Sequence, residues 1–346
     1  MDPIPRSSSP VDRFETAAEA IVAGDAATVR RLLREDPGLI RARSTREHRA
    51  MLLHYVAANG VENHRQITPA NAVEITGILL EAGAEVDAEA EMYGGGCTPL
   101  GLVATSIHPE RAGVQNALMQ LLIDRGAMID RPRGVGHNHC FVVGCLANGR
   151  GAAAEYLAAH GARLDLEGAA GVGRLDVVQS YFNPDGTLTA AATTEQMHAG
   201  FGWACEFGRT SVVEFLLDQG MPIDARLQHE GPTGLHWAAL GGHADIVSLL
   251  LARQAPVNAV DASHNGTPLT WALHGWNDPP AGVSRDRYYD VVARLVGAGA
   301  TVNPDWLDDR AAPTAFGRTL RADARMLTAL GAGGTTRHGT NETPGR

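Results

Sequence analysis

The chain has 346 residues, 44% of them apolar and 20% charged, with a formal net charge of −10. That length allows about two domains and a large buried core. The acidic balance excludes a general nucleic-acid or anionic-membrane binder, which would carry a basic excess.

In chain order, residues 1–13 are polar, rich in Pro and Ser, and lack the apolar core of a signal peptide. They are expected to be disordered, as is the tail 331–346. A first apolar-periodic stretch starts at Ala20 (AIVAGDAATVRRLLREDPGLIRAR). LLHYVAANG from Leu52 and ILLEAGAEVDA from Ile78 make a second, and GCTPLGLVATS from Gly96 with LLIDRGAMID from Leu121 a third. Two irregular stretches follow, CFVVGCLANGRGAAAEYLAAHGARLD from Cys140 and EGAAGVGRLDVVQSYF from Glu167. GWACEFGRTSVVEFLLDQGMPIDA from Gly202 precedes TGLHWAALGGHADIVSLLLARQAPVNAVD from Thr233 and TPLTWAL from Thr267. Segment 305–330 reads as a helical cap. No apolar run reaches the roughly 18 residues that a membrane-spanning helix needs. Cysteines at 97, 140, 145 and 205 form no CxxC pair. A reducing, cytoplasmic setting is the simplest reading.

Self-similarity with a step of 34 residues, seen from Trp203 to Trp237 to Trp271, organises these stretches. The pattern resembles the ankyrin repeat: a turn, a helix opened by Thr-Pro-Leu-His, a glycine turn, a second helix and a finger. The resemblance extends to a divergent, bacterial-type group of such proteins. It implies an all-α repeat solenoid of about eight helix-turn-helix repeats over 14–304, with short β-hairpin fingers and a C-terminal capping helix at 305–330. Local chemistry agrees. Thr233 can cap its helix, Pro268 suits a first helical turn, and Ala238 and Ala239 let neighbouring helices approach closely. Gly242 ends the first helix of its repeat; Gly83, Gly126, Gly161 and Gly220 end second helices elsewhere. Ile246, Val247, Leu249, Leu250 and Leu251 make an apolar stripe that one repeat cannot bury alone, so repeats must stack. Such a fold leaves function open.

Departures from the repeat are where function is sought. Extra residues separate the two helices in repeat 2 (VENHRQITPAN), repeat 3 (HPERAGV) and repeat 8 (NDPPAGVSRDRY). Such segments are either functional or tolerated surface loops. Repeat 5 lacks its leading finger. The first-helix position after the motif histidine, expected to face the concave groove, holds Tyr55, Leu102, Gly144, Gly168, Trp203, Trp237 and Trp271. The three tryptophans should form a ladder, and the two glycines a hollow walled by Tyr55 and Leu102 on one side and Trp203 and Glu206 on the other. Asn59, Glu206, Phe207 and His274 follow one turn further on the same face.

Each feature has a structural reading beside its functional one. The tryptophans serve as packing or as binding hot spots. His54 and His236 order their turns through hydrogen bonds. His137 and His139, near Cys145, lack a third ligand at metal spacing and are read as a finger-tip contact or lid, with no metal and no cofactor. The glycines after Tyr93 shape a turn, since no phosphate-loop lysine follows. Cys205 belongs to the core. The leading reading is a cytoplasmic adaptor that binds a protein or peptide, and neither nucleic acid nor membrane, through Tyr55, Asn59, Leu102, His137, His139, Trp203, Glu206, Trp237, Trp271 and His274. The alternative is an enzyme or sensor with a small-molecule pocket at repeats 4 and 5 under the inserted loops. In that case Glu206, His139 and His274 are the candidate acid–base groups, with Glu91 and Tyr93 nearby; no spacing pairs any two of them.

Overall fold

Amphipathic helical stretches, each with one apolar face, leave the chain no option but to stack them in pairs. The computed structural model describes residues 10–58, 60–130, 141–227, 231–280, 283–308 and 314–332. They divide into two units, 1–168 and 169–346, and each is described by itself.

The first unit contains α1 (Pro10–Ala23), α2 (Ala26–Glu35), α3 (Ala72–Glu81), α4 (Pro99–Thr105), α5 (Ile107–Arg111), α6 (Gln115–Asp124), α7 (Phe141–Ala147) and α8 (Gly151–Ala159). Repeat 2 opens on a 3-10 turn, Leu52–Ala57, where an α-helix would stand in a regular copy. That turn packs between α1 and α4, and α4 packs on α7, while α2, α3, α6 and α8 form a second layer behind them. Leu52, Ile75, Leu79, Leu100, Val103, Leu118, Leu122 and Leu157 fill the space between the layers, all fully buried or nearly so.

Helix α9 (Leu166–Gly171) crosses the division. Beyond it the second unit contains α10 (Leu175–Gln179), α11 (Thr194–Glu206), α12 (Thr210–Asp218), α13 (Gly234–Leu240), α14 (Ala244–Ala252), α15 (Pro268–Asn277) and α16 (Arg287–Gly297). It closes with α17 (Ala315–Ala322) and α18 (Ala324–Ala329). Helices α11, α13 and α15 pack in succession, backed by α12, α14 and α16, and α18 packs on α16. The result is an all-α repeat solenoid. Among the described residues the fingers hold no strand; their pairing is limited to the bridges Ala90–Cys97 and Phe182–Leu188.

The motif histidines tie successive copies together. His236 Nδ1 accepts the Thr233 amide at 3.1 Å, which fixes Nε2 as the protonated nitrogen, and Nε2 donates to Gly266 O at 3.2 Å in the next finger. His54 does the same between Met51 N (3.1 Å) and Ala88 O (3.0 Å). Burial favours the neutral ring these bonds require, pushing the His54 pKa down to about 4.

Each inserted segment is pinned by a side chain of its own or of the following helix. In repeat 2, Arg65 is 2% exposed and binds Glu19 (2.7 and 2.9 Å), Glu15 (2.8 Å) and Glu62 (3.0 Å). Its guanidinium also lies over the Tyr55 ring, 5.5 Å from the centroid. In repeat 3, Gln115 Nε2 donates to the carbonyls of Val103, Ala104 and Ser106, closing the end of α4. In repeat 8, Arg285 donates to Trp276 O and Asn277 O and covers the Trp276 ring at 4.8 Å. Glu15 and Glu19 reach solvent, but Glu62 is buried, so removing the guanidinium leaves that carboxylate without its buried cation. Arg65→Met is therefore expected to lower stability by about 3–5 kcal/mol, read from the urea midpoint of far-UV circular dichroism. A loss below about 1 kcal/mol would show the cluster to be solvated.

Candidate functional site

Two features of the structure bear on function, one in each unit. In the second unit the three tryptophans at the repeated first-helix position meet ring to ring. The Trp203 and Trp237 centroids are 6.1 Å apart, and Trp237 meets Trp271 edge-on at 5.2 Å. Phe207, one turn on from Trp203, extends the row at 6.4 Å. Gly202 makes room for this contact: a Cβ there would press on Leu227 at 3.2 Å and reach the Trp237 ring at 3.8 Å. Trp203 is 7% exposed, whereas Trp237 and Trp271 are half-buried. The polar end of Trp271 is already used, since Nε1 donates to Asp261 Oδ2 at 3.0 Å. His236 and His264 stand edge-on to its ring. His274, one turn further along α15, is exposed.

Glu206 lies three residues after Trp203, so the two share a helix face. Its backbone carbonyl accepts His243 Nε2 at 2.8 Å. Its carboxyl Oε2 is buried without any hydrogen-bond partner among the described residues. Burial with no compensating cation pushes this carboxyl up to about 7.

In the first unit the face carrying Leu102 and Gly144 opens into a cavity of about 700 Å³. Leu102, Phe141 and Tyr93 give it apolar walls; Thr98, Asn148 and His108 give it polar edges. Gly60 and Gln66 from the repeat-2 insert line it, as do Ile107 and His108 from the repeat-3 insert. Two lining residues hold uncommon backbone: Ala58 at φ 58° and Tyr93 at φ 52°. Gly60 lies beneath the Tyr93 hydroxyl and takes a φ of 78°, a backbone conformation that favours glycine. Such strain at a cavity is a mark of functional sites.

The expected groove residues therefore part ways. Trp203, Trp237, Trp271 and Glu206 share one face, and Leu102 and Gly144 line the cavity. Tyr55 walls no hollow: it is fully buried, edge-on to Phe14 and His48 and covered by Arg65. Gly168 opens no hollow either, since a Cβ there would meet Val142 and the Asp165 carboxylate that already accepts its amide. Asn59, His137 and His139 lie outside the described residues. Sequence reasoning passed over Arg65 and Phe141; it named Tyr93 as a groove-side group and read the glycines after it as a turn. No helix among the described residues is long and apolar enough to cross a membrane.

Residues 201–305 match the family model of ankyrin repeats, in three copies. Among solved structures, the chain is similar to the human ASB11 ankyrin repeat domain at 18% identity. That match covers 83% of this chain and 99% of the other, with a TM-score of 0.40. No curated protein matches the chain.

The Glu206 carboxyl makes a pH-dependent contribution with a definite sign. Unfolded, it ionises near 4.5; folded, near 7. Between those values the unfolded chain binds fewer protons, so stability falls as pH rises through the window. Glu206→Gln removes the penalty. Its melting temperature is expected to match the parent at about pH 4 and to exceed it at about pH 8. Equal melting temperatures at both would show that the carboxyl is solvated.

Proposed function

We propose that the chain, whose residues 201–305 match ankyrin repeats, is a non-enzymatic binding module whose first-helix face in the second unit takes up a protein or peptide partner. Stacked repeats generally present extended surfaces for protein–protein interaction. The observation that carries the proposal is the half-buried indole pair Trp237 and Trp271, at one repeat position and edge-on to each other, with the buried Trp203 against Trp237. Tryptophan edges fixed in this way make contact area at little cost in side-chain entropy, the composition typical of interface hot spots. Trp237→Ala is expected to weaken binding of a purified partner by at least about tenfold, roughly 1.4 kcal/mol, in titration calorimetry. A partner that binds this variant and the parent chain equally would overturn the reading.

A second reading rests on its own observation, the cavity of the first unit, which both inserts help to line. Its size and mixed walls suit a small molecule. Gly144→Leu would fill it. A metabolite that raises the melting temperature of the parent chain by a few degrees should lose that effect in the variant. No stabilising compound in a broad metabolite set would remove the reading.

A further inference from the structure

Among the described residues of the second unit Glu206 is the acid with an orphaned oxygen; Thr189 Oγ1 and Trp276 Nε1 are also buried without a partner, but neither carries charge. A buried carboxyl oxygen without a donor costs stability, and native chains keep such groups only for a reason. No cation of this chain answers it among the described residues. Arg209, the nearest in sequence, turns its Nε to Gly171 O and lays its side chain against Gly173. His243 spends its ring on the Glu206 backbone carbonyl, and burial keeps that ring neutral. Helical register places the carboxyl on the Trp203 face, and Phe207 and Trp237 stand beside Trp203 at 6.4 and 6.1 Å. Aromatic rings on the helix face that register gives to Glu206, and a carboxyl oxygen there with no partner among the described residues, make the complement of a cation: the rings offer negative faces and the carboxyl, when ionised, offers charge. The whole chain, at −10, adds a long-range field of the same sign.

We propose that Glu206, with Trp203, Phe207 and Trp237, receives an arginine or lysine side chain presented by the partner peptide. This rests on the partner-binding reading of the same face and specifies what the partner must carry. The arriving cation satisfies the buried oxygen, so a group that weakens the free protein becomes a contact in the complex. The same carboxyl discriminates against acidic segments, which would face it across a dry gap.

The test uses blocked pentapeptides, glycine throughout except for a central arginine, lysine, citrulline or glutamate, titrated against the full chain. Tryptophan emission is a local reporter, because all five tryptophans lie beyond position 200. The arginine or lysine peptide should give a saturable change, with citrulline and glutamate inert. Glu206→Gln should weaken that response at least about tenfold. Gln keeps the shape and removes the buried charge, so the variant should fold; its near-UV circular dichroism confirms this. No saturable change with either cationic peptide up to about 10 mM, the weak end of specific binding, overturns the inference. So does an equal response from Glu206→Gln. The outcome is separable from that of the binding-module reading. A partner sensitive to Trp237→Ala but indifferent to Glu206→Gln leaves the module standing and removes the cation receptor.

Discussion

Everything in this chain depends on a constraint of stacking: no single repeat can bury its own apolar face, so each must be joined to the next in fixed register. The motif histidine is the joint. One ring nitrogen holds the turn that starts a helix, and the other reaches the finger of the following repeat, as His236 does from Thr233 to Gly266. The joint works only with a neutral ring of one tautomer, and burial enforces that state. Once register is fixed, equivalent positions of successive repeats must become neighbours. The tryptophan row follows from it: a spacing of 34 residues becomes ring contacts of 5.2 and 6.1 Å.

The same logic marks what the amino-acid sequence could and could not reveal. The row of tryptophans was legible because its three repeats are regular and adjacent. Leu102 and Gly144 hold the same repeat position in less regular copies, where the first helix is still an α-helix, and they line the cavity. Tyr55 broke the rule because its repeat is not regular. The Leu52–Ala57 segment tightens to 3-10, and the insert brings Arg65 down onto the ring. Nothing in the spacing announces that an arginine inside an insert will be the most buried charge in its unit. It is three acidic side chains, two of them on α1, that make its burial tolerable. The cavity was foreseen only in part, because its walls come from inserts and a turn. There Tyr93 and Ala58 take backbone conformations that pattern does not predict.

The inserts also show how a repeat protein gains the walls of a cavity without a change of fold. Gln115 and Arg285 hold their segments by donating to carbonyls at the ends of first helices, groups that helix geometry leaves unsatisfied. An insert fixed in this manner loses little entropy when a ligand arrives, so it can serve as wall as well as loop. In repeats 2 and 3 it does serve as wall: Gln66 and His108 border the cavity from two separate inserts.

Two buried acids in the second unit make the strongest contrast. Asp261 is fully buried, and burial alone would discourage its charge. Yet the amides of His264 and Gly266 and the Trp271 indole all donate to it, and its carboxyl is held below the usual range. Its charge serves the fold, bracing a finger and one rung of the tryptophan row. Glu206 stands two repeats earlier on the same row, and its buried oxygen has no donor among the described residues. A chain that surrounds one acid with three donors has the means to satisfy another, and a neutral side chain at 206 would remove the need. Among the described residues no donor reaches the Glu206 oxygen, and that is why a cation from a partner is proposed for it. Two environments divide a single row of side chains: Trp271 is tied inward to Asp261, and Trp203 shares a helix face with an acid whose buried oxygen has no donor among the described residues.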